Sequence, residues 1–143
     1  MQKTFFATPQ ETERNWVIVD LENKVLGRAA SKIANLLRGK DKATFTPHID
    51  TGCFVIAINA SKVHLTGRKW DAKMYYDHSG YPGGLKEKTA QEVLDREPER
   101  LIRDAVWGML PKNTLSKHQL AKLKIYSGAD HPHVAQSPKS IEL

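Results

Sequence analysis

A chain of 143 residues that is 40% hydrophobic and 27% charged has the composition of one folded domain, which excludes wholesale disorder. Its 22 Lys and Arg against 16 Asp and Glu leave a formal charge of +6, which favours a polyanionic partner without specifying one. A single cysteine rules out an internal disulfide, Met1–Phe6 lacks the apolar run of a signal peptide, and no stretch approaches the ~20 apolar residues of a membrane span, so a soluble cytoplasmic protein is expected.

Residues 1–15 are polar, carry Pro9 and show no period, so they read as an N-terminal arm. Trp16-Val17-Ile18-Val19-Asp20 is a short β-branched apolar run and predicts a buried strand, followed by a turn at Glu22-Asn23-Lys24. From Leu26 to Arg38 the period becomes helical: Leu26, Ala29, Ala30, Ile33 and Leu37 share a face, and Gly39 is placed as the C-cap. Phe54-Val55-Ile56-Ala57-Ile58-Asn59 is continuously apolar, as an inner strand covered on both faces would be. Strand, helix, strand in that order is a βαβ unit, so the fold class is α/β, a parallel or mixed sheet with helices on both sides.

Farther on, Lys62-Val63-His64-Leu65-Thr66 alternates and predicts a third strand. Residues 67–88 read as an irregular loop, and a loop of about 20 residues in a small domain points to function. Thr89-Ala90-Gln91-Glu92 has the form of a capping box, and Pro98 opens a helix with Leu101, Ile102, Ala105, Val106 and Met109 on its apolar side. Ser116-Lys117-His118-Gln119 offers a second capping box, and Leu123-Lys124-Ile125-Tyr126 a final strand. With Pro132 and Pro138, residues 127–143 read as an irregular tail.

No catalytic set emerges. Neither G-x-G-x-x-G nor a Walker A sequence is present, and the pair Gly83-Gly84 is by default a turn. Asp130, His131 and His133 lack the spacing and the fourth ligand of a metal site. Cys53 opens an apolar strand, where a thiol behaves as a small hydrophobe, and its pairing with His48 has little support. Asp20 and Asp50 flank strands, where loop hydrogen bonding is the default. No cofactor and no metal are expected.

The basic residues are more informative because they cluster. Residues 89–110 hold five acids (Glu92, Asp95, Glu97, Glu99, Asp104) against three arginines, which leaves the rest of the chain more basic than its total. One cluster runs along 24–42 with Arg28 and continues through Lys40, Lys42 and His48, at the N-terminal edge of the second strand. A second is the long loop, where Arg68, Lys69, Lys73 and Lys86 interleave with Tyr75, Tyr76, His78, Ser79, Tyr81, Gly83 and Gly84. RNA recognition uses that mixture: cations neutralise phosphates, rings stack on unpaired bases, and glycines let the backbone approach closely. Composition supports equally a mobile loop with its tyrosines tucked onto the core. The third cluster, Lys112, Lys117, Lys122 and Lys124, has the spacing of an ordinary solvated helix face.

Several motifs stand in a fixed order through these segments. They are Trp16–Asp20 with Leu26-Gly27-Arg28, Phe45-Thr46-Pro47-His48-Ile49-Asp50-Thr51-Gly52, Asn59-Ala60-Ser61-Lys62-Val63 with Leu65-Thr66-Gly67, and Tyr75 to Lys86. After them come Gly108-Met109-Leu110-Pro111-Lys112-Asn113-Thr114-Leu115, Leu123-Lys124-Ile125-Tyr126-Ser127-Gly128 and His131-Pro132-His133. In this the chain resembles the universal large-subunit ribosomal protein thirteen family, in its bacterial form, over nearly its whole length. The resemblance implies a three-layer α/β/α domain with a small sheet of about four strands, bound to large-subunit (23S) rRNA and to neighbouring ribosomal proteins. It further implies a role in early subunit assembly and translation, no enzymatic activity, and no homo-oligomer. The residues expected to meet RNA are Arg28, Lys40, Lys42, His48, Arg68, Lys69, Lys73, Tyr75, Tyr76, His78, Ser79, Tyr81, Gly83, Gly84, Lys86, Lys112, Lys117, Lys122 and Lys124. Two positions depart from the family pattern: Cys53 stands where many relatives carry Asp, and Asp77 where a basic residue or histidine is usual. A carboxylate at 77 is at odds with a loop wholly turned to phosphate. The rival readings are a free α/β enzyme or small-molecule binder, and an RNA-binding regulator off the ribosome.

Overall fold

In the computed structural model, which describes residues 4–10 and 12–143, the strand Trp16–Asp20 (β1) leads into the helix Leu26–Arg38 (α1) and the strand Phe54–Ile58 (β2). A 3-10 turn Ala60–Lys62 and the one-turn helix Lys69–Ala72 (α2) precede two strands, Met74–His78 (β3) and Leu85–Thr89 (β4). Three helices follow, Ala90–Arg96 (α3), Pro98–Met109 (α4) and Thr114–Ala121 (α5). The strand Leu123–Ile125 (β5), a 3-10 turn Val134–Gln136 and the strand Lys139–Ile141 (β6) complete the order. Residues 1–3 and 11 of the expected arm lie outside the described residues.

The main sheet is four-stranded and wholly parallel, in the order β5-β2-β1-β6, so the α/β class expected from the sequence holds. Register places Val17 beside Val55 and Val19 beside Ala57, with Leu123 and Ile125 next in line. These six residues form one face, buried beneath Ala29, Ala30, Ile33 and Leu37 of α1 and Leu101, Ile102 and Val106 of α4. The crossovers from β1 to β2 and from β2 to β5 run the same way along the sheet, and α1 and α4 pack together on one side, as the right-handed rule for such connections requires. The return from β5 to β6 runs the other way and crosses the opposite face. There Trp16 stacks on Phe54 with ring centroids 4.5 Å apart, and the His133 ring lies 5.1 Å from Trp16.

Gly39 closes α1 in the left-handed region (φ 78°), where its N–H donates to the carbonyls of Asn35 and Leu36. Gly52 meets the same helix end, and a Cβ there would lie 1.7 Å from the Leu37 carbonyl oxygen. Because the obstacle is backbone of a fully buried turn, Gly52→Ala is expected to cost about 3 kcal/mol, the upper end of overpacking. A urea titration should show a lower midpoint with an unchanged slope.

The structure differs from the sequence-based expectations at five places. Residues 62–66 do not form a strand: Asn59 turns the chain at φ 57°, and His64 makes only an isolated bridge to Val25, although Val63 and Leu65 are buried. The supposed loop 67–88 holds α2 and an antiparallel β3–β4 ribbon. Asn113, not Ser116, caps α5: its Oδ1 accepts from the Ser116 N–H at 2.8 Å, and Ser116 itself is buried. Met109 ends α4 exposed rather than in the core. Finally, Lys139–Ile141 pairs with β1 instead of remaining irregular. The Thr89–Glu92 capping box and the Pro98 start of α4 are as expected.

Candidate nucleic-acid interface

The βαβ connection delivers residues 39–53 to the N-terminal edge of the sheet, where Lys40 and His48 are exposed. The His48 ring stands 6.0 Å from Phe6, and Ala7 N–H donates to the Thr46 hydroxyl at 3.1 Å, so the arm lies along this edge. Lys42 is half-buried and donates through Nζ to the Glu13 carbonyl at 2.9 Å, which fastens the arm as well as supplying charge.

Lys122 points inward at the same edge. Only 6% exposed, it donates through Nζ to Asp50 Oδ1 at 2.6 Å and to the Leu37 carbonyl at 3.3 Å. Burial lowers its pKa while the Asp50 carboxylate pulls the other way. Expected as a phosphate contact, Lys122 is instead an internal cross-link between the end of α1, the 39–53 segment and the entrance to β5. The other carboxylate singled out in the sequence, Asp20, accepts from Asn59 Nδ2 at 2.8 Å and Glu22 N–H at 2.9 Å, and these bonds lower its pKa. Both aspartates are loop ties.

The β3–β4 ribbon sorts its residues by face. Antiparallel register pairs Tyr75 with Lys88 and Asp77 with Lys86 on one side, and Tyr76 with Glu87 and His78 with Leu85 on the other. Tyr75 is half-buried against the core, and its hydroxyl is buried without a hydrogen-bond partner among the described residues, which raises its pKa. It is a packing residue, not an open stacking platform. Asp77 meets Arg100 of α4 through two bonds, Nη1–Oδ2 at 2.9 Å and Nη2–Oδ1 at 2.6 Å, and the Arg100 hydrogen bonds hold its carboxyl below the usual range. The acid that conflicted with the loop's charge is thereby occupied within the protein.

The other face is open: Tyr76 is 60% and Leu85 55% exposed, His78 is exposed, and Tyr81 at the tip is 75% exposed. The tip is closed by Ser79 N–H to the Gly84 carbonyl and Gly84 N–H to the Tyr81 carbonyl, while Gly80 N–H donates to His78 Nδ1 at 2.9 Å. Gly83 adopts φ 72°, and a Cβ on Gly84 would lie 2.1 Å from Ser79 Oγ, so these two glycines serve the turn. At the ribbon's foot Arg68, Lys69 and Lys73 are exposed on and beside α2, with Lys69 Nζ 3.2 Å from Thr66 Oγ1 and Lys73 Nζ 5.3 Å from the Tyr75 ring. Lys86 is exposed on the Asp77 side.

The third region is spread over two surfaces. Lys112 folds back on Trp107, with Nζ 4.1 Å from the ring centroid and bonded to the Trp107 carbonyl. Lys117 and Lys124 are exposed and line a groove with Arg103 and Glu99 along the β5 edge. Arg28 is exposed on the outer side of α1, in a shallow groove with Lys24 and Lys32.

Other chemistry finds no centre. Cys53 is buried and His48 exposed; His133 Nε2 lies 2.7 Å from the Tyr126 hydroxyl as part of the packing on Trp16. Among the described residues no three His, Cys, Asp or Glu gather as metal ligands, and no helix is long and apolar enough to cross a membrane. Sequence reading missed Arg100 because only its helical neighbour Asp104, with Oδ2 3.4 Å from Nε, is visible along the chain.

A family model described as ribosomal protein L13 matches residues 14–132. A "Large ribosomal subunit protein uL13" of Geobacter sp. (strain M21) is 60% identical over 141 residues, covering 99% of this chain and 99% of its own. Proteins of the same name from Maridesulfovibrio salexigens and Beutenbergia cavernae are each 55% identical, over 140 and 141 residues, covering 98% and 99% of this chain and 99% and 96% of their own.

Proposed function

The chain belongs to the ribosomal protein L13 family, and from that membership we propose that it is a non-catalytic constituent of the large ribosomal subunit that binds 23S rRNA and supports early assembly of the particle. The observation that carries the RNA-binding reading is the segregation within the ribbon region. Exposed Arg68, Lys69 and Lys73 stand at its foot and exposed Tyr76, His78 and Tyr81 above them, with Glu87 an exposed acid across from Tyr76, while Asp77 is turned to Arg100. Lysines at the sheet's N-terminal edge and on the β5 edge offer contacts to further RNA segments, so that one rigid body bridges several strands.

The mechanism is architectural. Each phosphate contact releases counterions and adds a salt-dependent increment, and exposed rings stack on unpaired bases. Cytoplasmic large subunits and neighbouring ribosomal proteins are the setting this reading requires. Sedimentation of a cell lysate at moderate and then high salt tests it. Co-migration with the large subunit at moderate salt is expected, and a free monomeric pool throughout would reject the assignment.

A further inference from the structure

We propose that Arg100 is a positioning residue for RNA binding: its two-pronged grip on Asp77 locks the β3–β4 ribbon to α4 and fixes which face of the ribbon meets the nucleic acid. The inference rests on the RNA-binding reading above and assigns to one ion pair the orientation of that site.

A two-stranded ribbon is marginal by itself and takes its orientation from what it packs against. Here the foot is held where Met74 pairs with Thr89 and Ala90 N–H donates to the Lys73 carbonyl at 2.9 Å. Asp77 lies toward the other end, one pair short of the turn-proximal His78–Leu85 pair, so a bond at Asp77 has leverage over the tip that the foot lacks. Guanidinium and carboxylate meet fork to fork, a geometry that fixes direction as well as distance. The third nitrogen is steadied by Asp104 one turn along α4. Locked this way, Tyr76, His78 and Leu85 face outward together with Tyr81. The side chains of the pair are 27% and 42% exposed, too open for the bond to contribute much to global stability, so orientation is the role left to it.

Asp77→Asn separates this role from plain electrostatics by sign. Were Asp77 only a negative charge beside a polyanion, with Lys86 paired across from it, its removal would free a cation and tighten RNA binding. Positioning predicts the reverse: weaker binding to a 23S rRNA transcript, by roughly five- to tenfold, because the ribbon must now be ordered on binding. Amide exchange across 76–85 should accelerate while the unfolding midpoint stays nearly unchanged. Arg100→Lys, which keeps the charge but loses the fork, should behave like Asp77→Asn, and the exchanged pair Asp77→Arg with Arg100→Asp should recover most of the affinity. Tighter or unchanged binding by both single variants overturns the positioning role alone. Failure of the unaltered chain to bind the transcript overturns the RNA-binding reading and this inference with it.

Discussion

Replacing Arg68, Lys69 and Lys73 together with alanine should weaken binding to 23S rRNA by about one to two orders of magnitude near 0.1 M salt. The three side chains are exposed on or beside α2, and none takes part in an ion pair among the described residues, so their charge is free for a partner. If each neutralises one phosphate, the slope of log affinity against log salt should become shallower by about 2 to 3. Because all three residues are exposed and their contacts, Lys69 to Thr66 and Lys73 to the Tyr75 ring, lie at the surface, the unfolding midpoint should change little. Filter binding or fluorescence anisotropy across a salt series reads both quantities, and identical affinity and slope would remove this region from the interface.

Lys122→Met should instead act on stability, at a cost of about 1–3 kcal/mol, because it leaves the part-buried Asp50 carboxylate without its cation. Thermal or urea unfolding checks the size. Combining it with Asp50→Leu should recover much of the loss, since the carboxylate and its buried cation then disappear together. The salt slope of RNA binding should not change, in contrast to Lys117→Ala or Lys124→Ala, whose ammonium groups are exposed. A pH signature follows as well. Burial sets the folded pKa of Lys122 below the ordinary 10.5, so between that value and 10.5 the unfolded chain holds more protons. Stability from this residue therefore rises with pH in that window, and Lys122→Met should remove the rise.

The parts of the fold legible in the sequence are those whose partners lie close along the chain or whose burial imposes a strict period. β1 and α1 are bounded as the apolar pattern and Gly39 indicate, and the strand expected over 54–59 overruns β2 by one residue because Asn59, whose side chain donates to Asp20, turns left-handed. The β3–β4 ribbon was hidden because it leaves Tyr76 and Leu85 exposed, so neither strand alternates cleanly between apolar and polar. β6 carries no apolar signature either; it is a strand because β1 has an edge to pair with.

The same limit applies to the candidate site. Lys122 and Lys124 look alike in sequence, and only Asp50, 72 residues away, separates a buried cross-link from a surface cation. Tyr75 and Tyr76 are likewise distinguished only by ribbon register, which turns one to the core and the other to solvent. Asp77 could be recognised as discordant, but the partner that reconciles it is 23 residues downstream on α4.

The placement of β6 beside β1 has a consequence for how the molecule is made. The central strand pair can close around α1 while the polypeptide is still growing, yet one flank of β1 keeps its backbone donors and acceptors unmatched until Lys139–Ile141 leaves the exit tunnel. The newborn chain thus passes through a stage with a sticky, template-like border, resolved only when residues 139–141 arrive to pair with it.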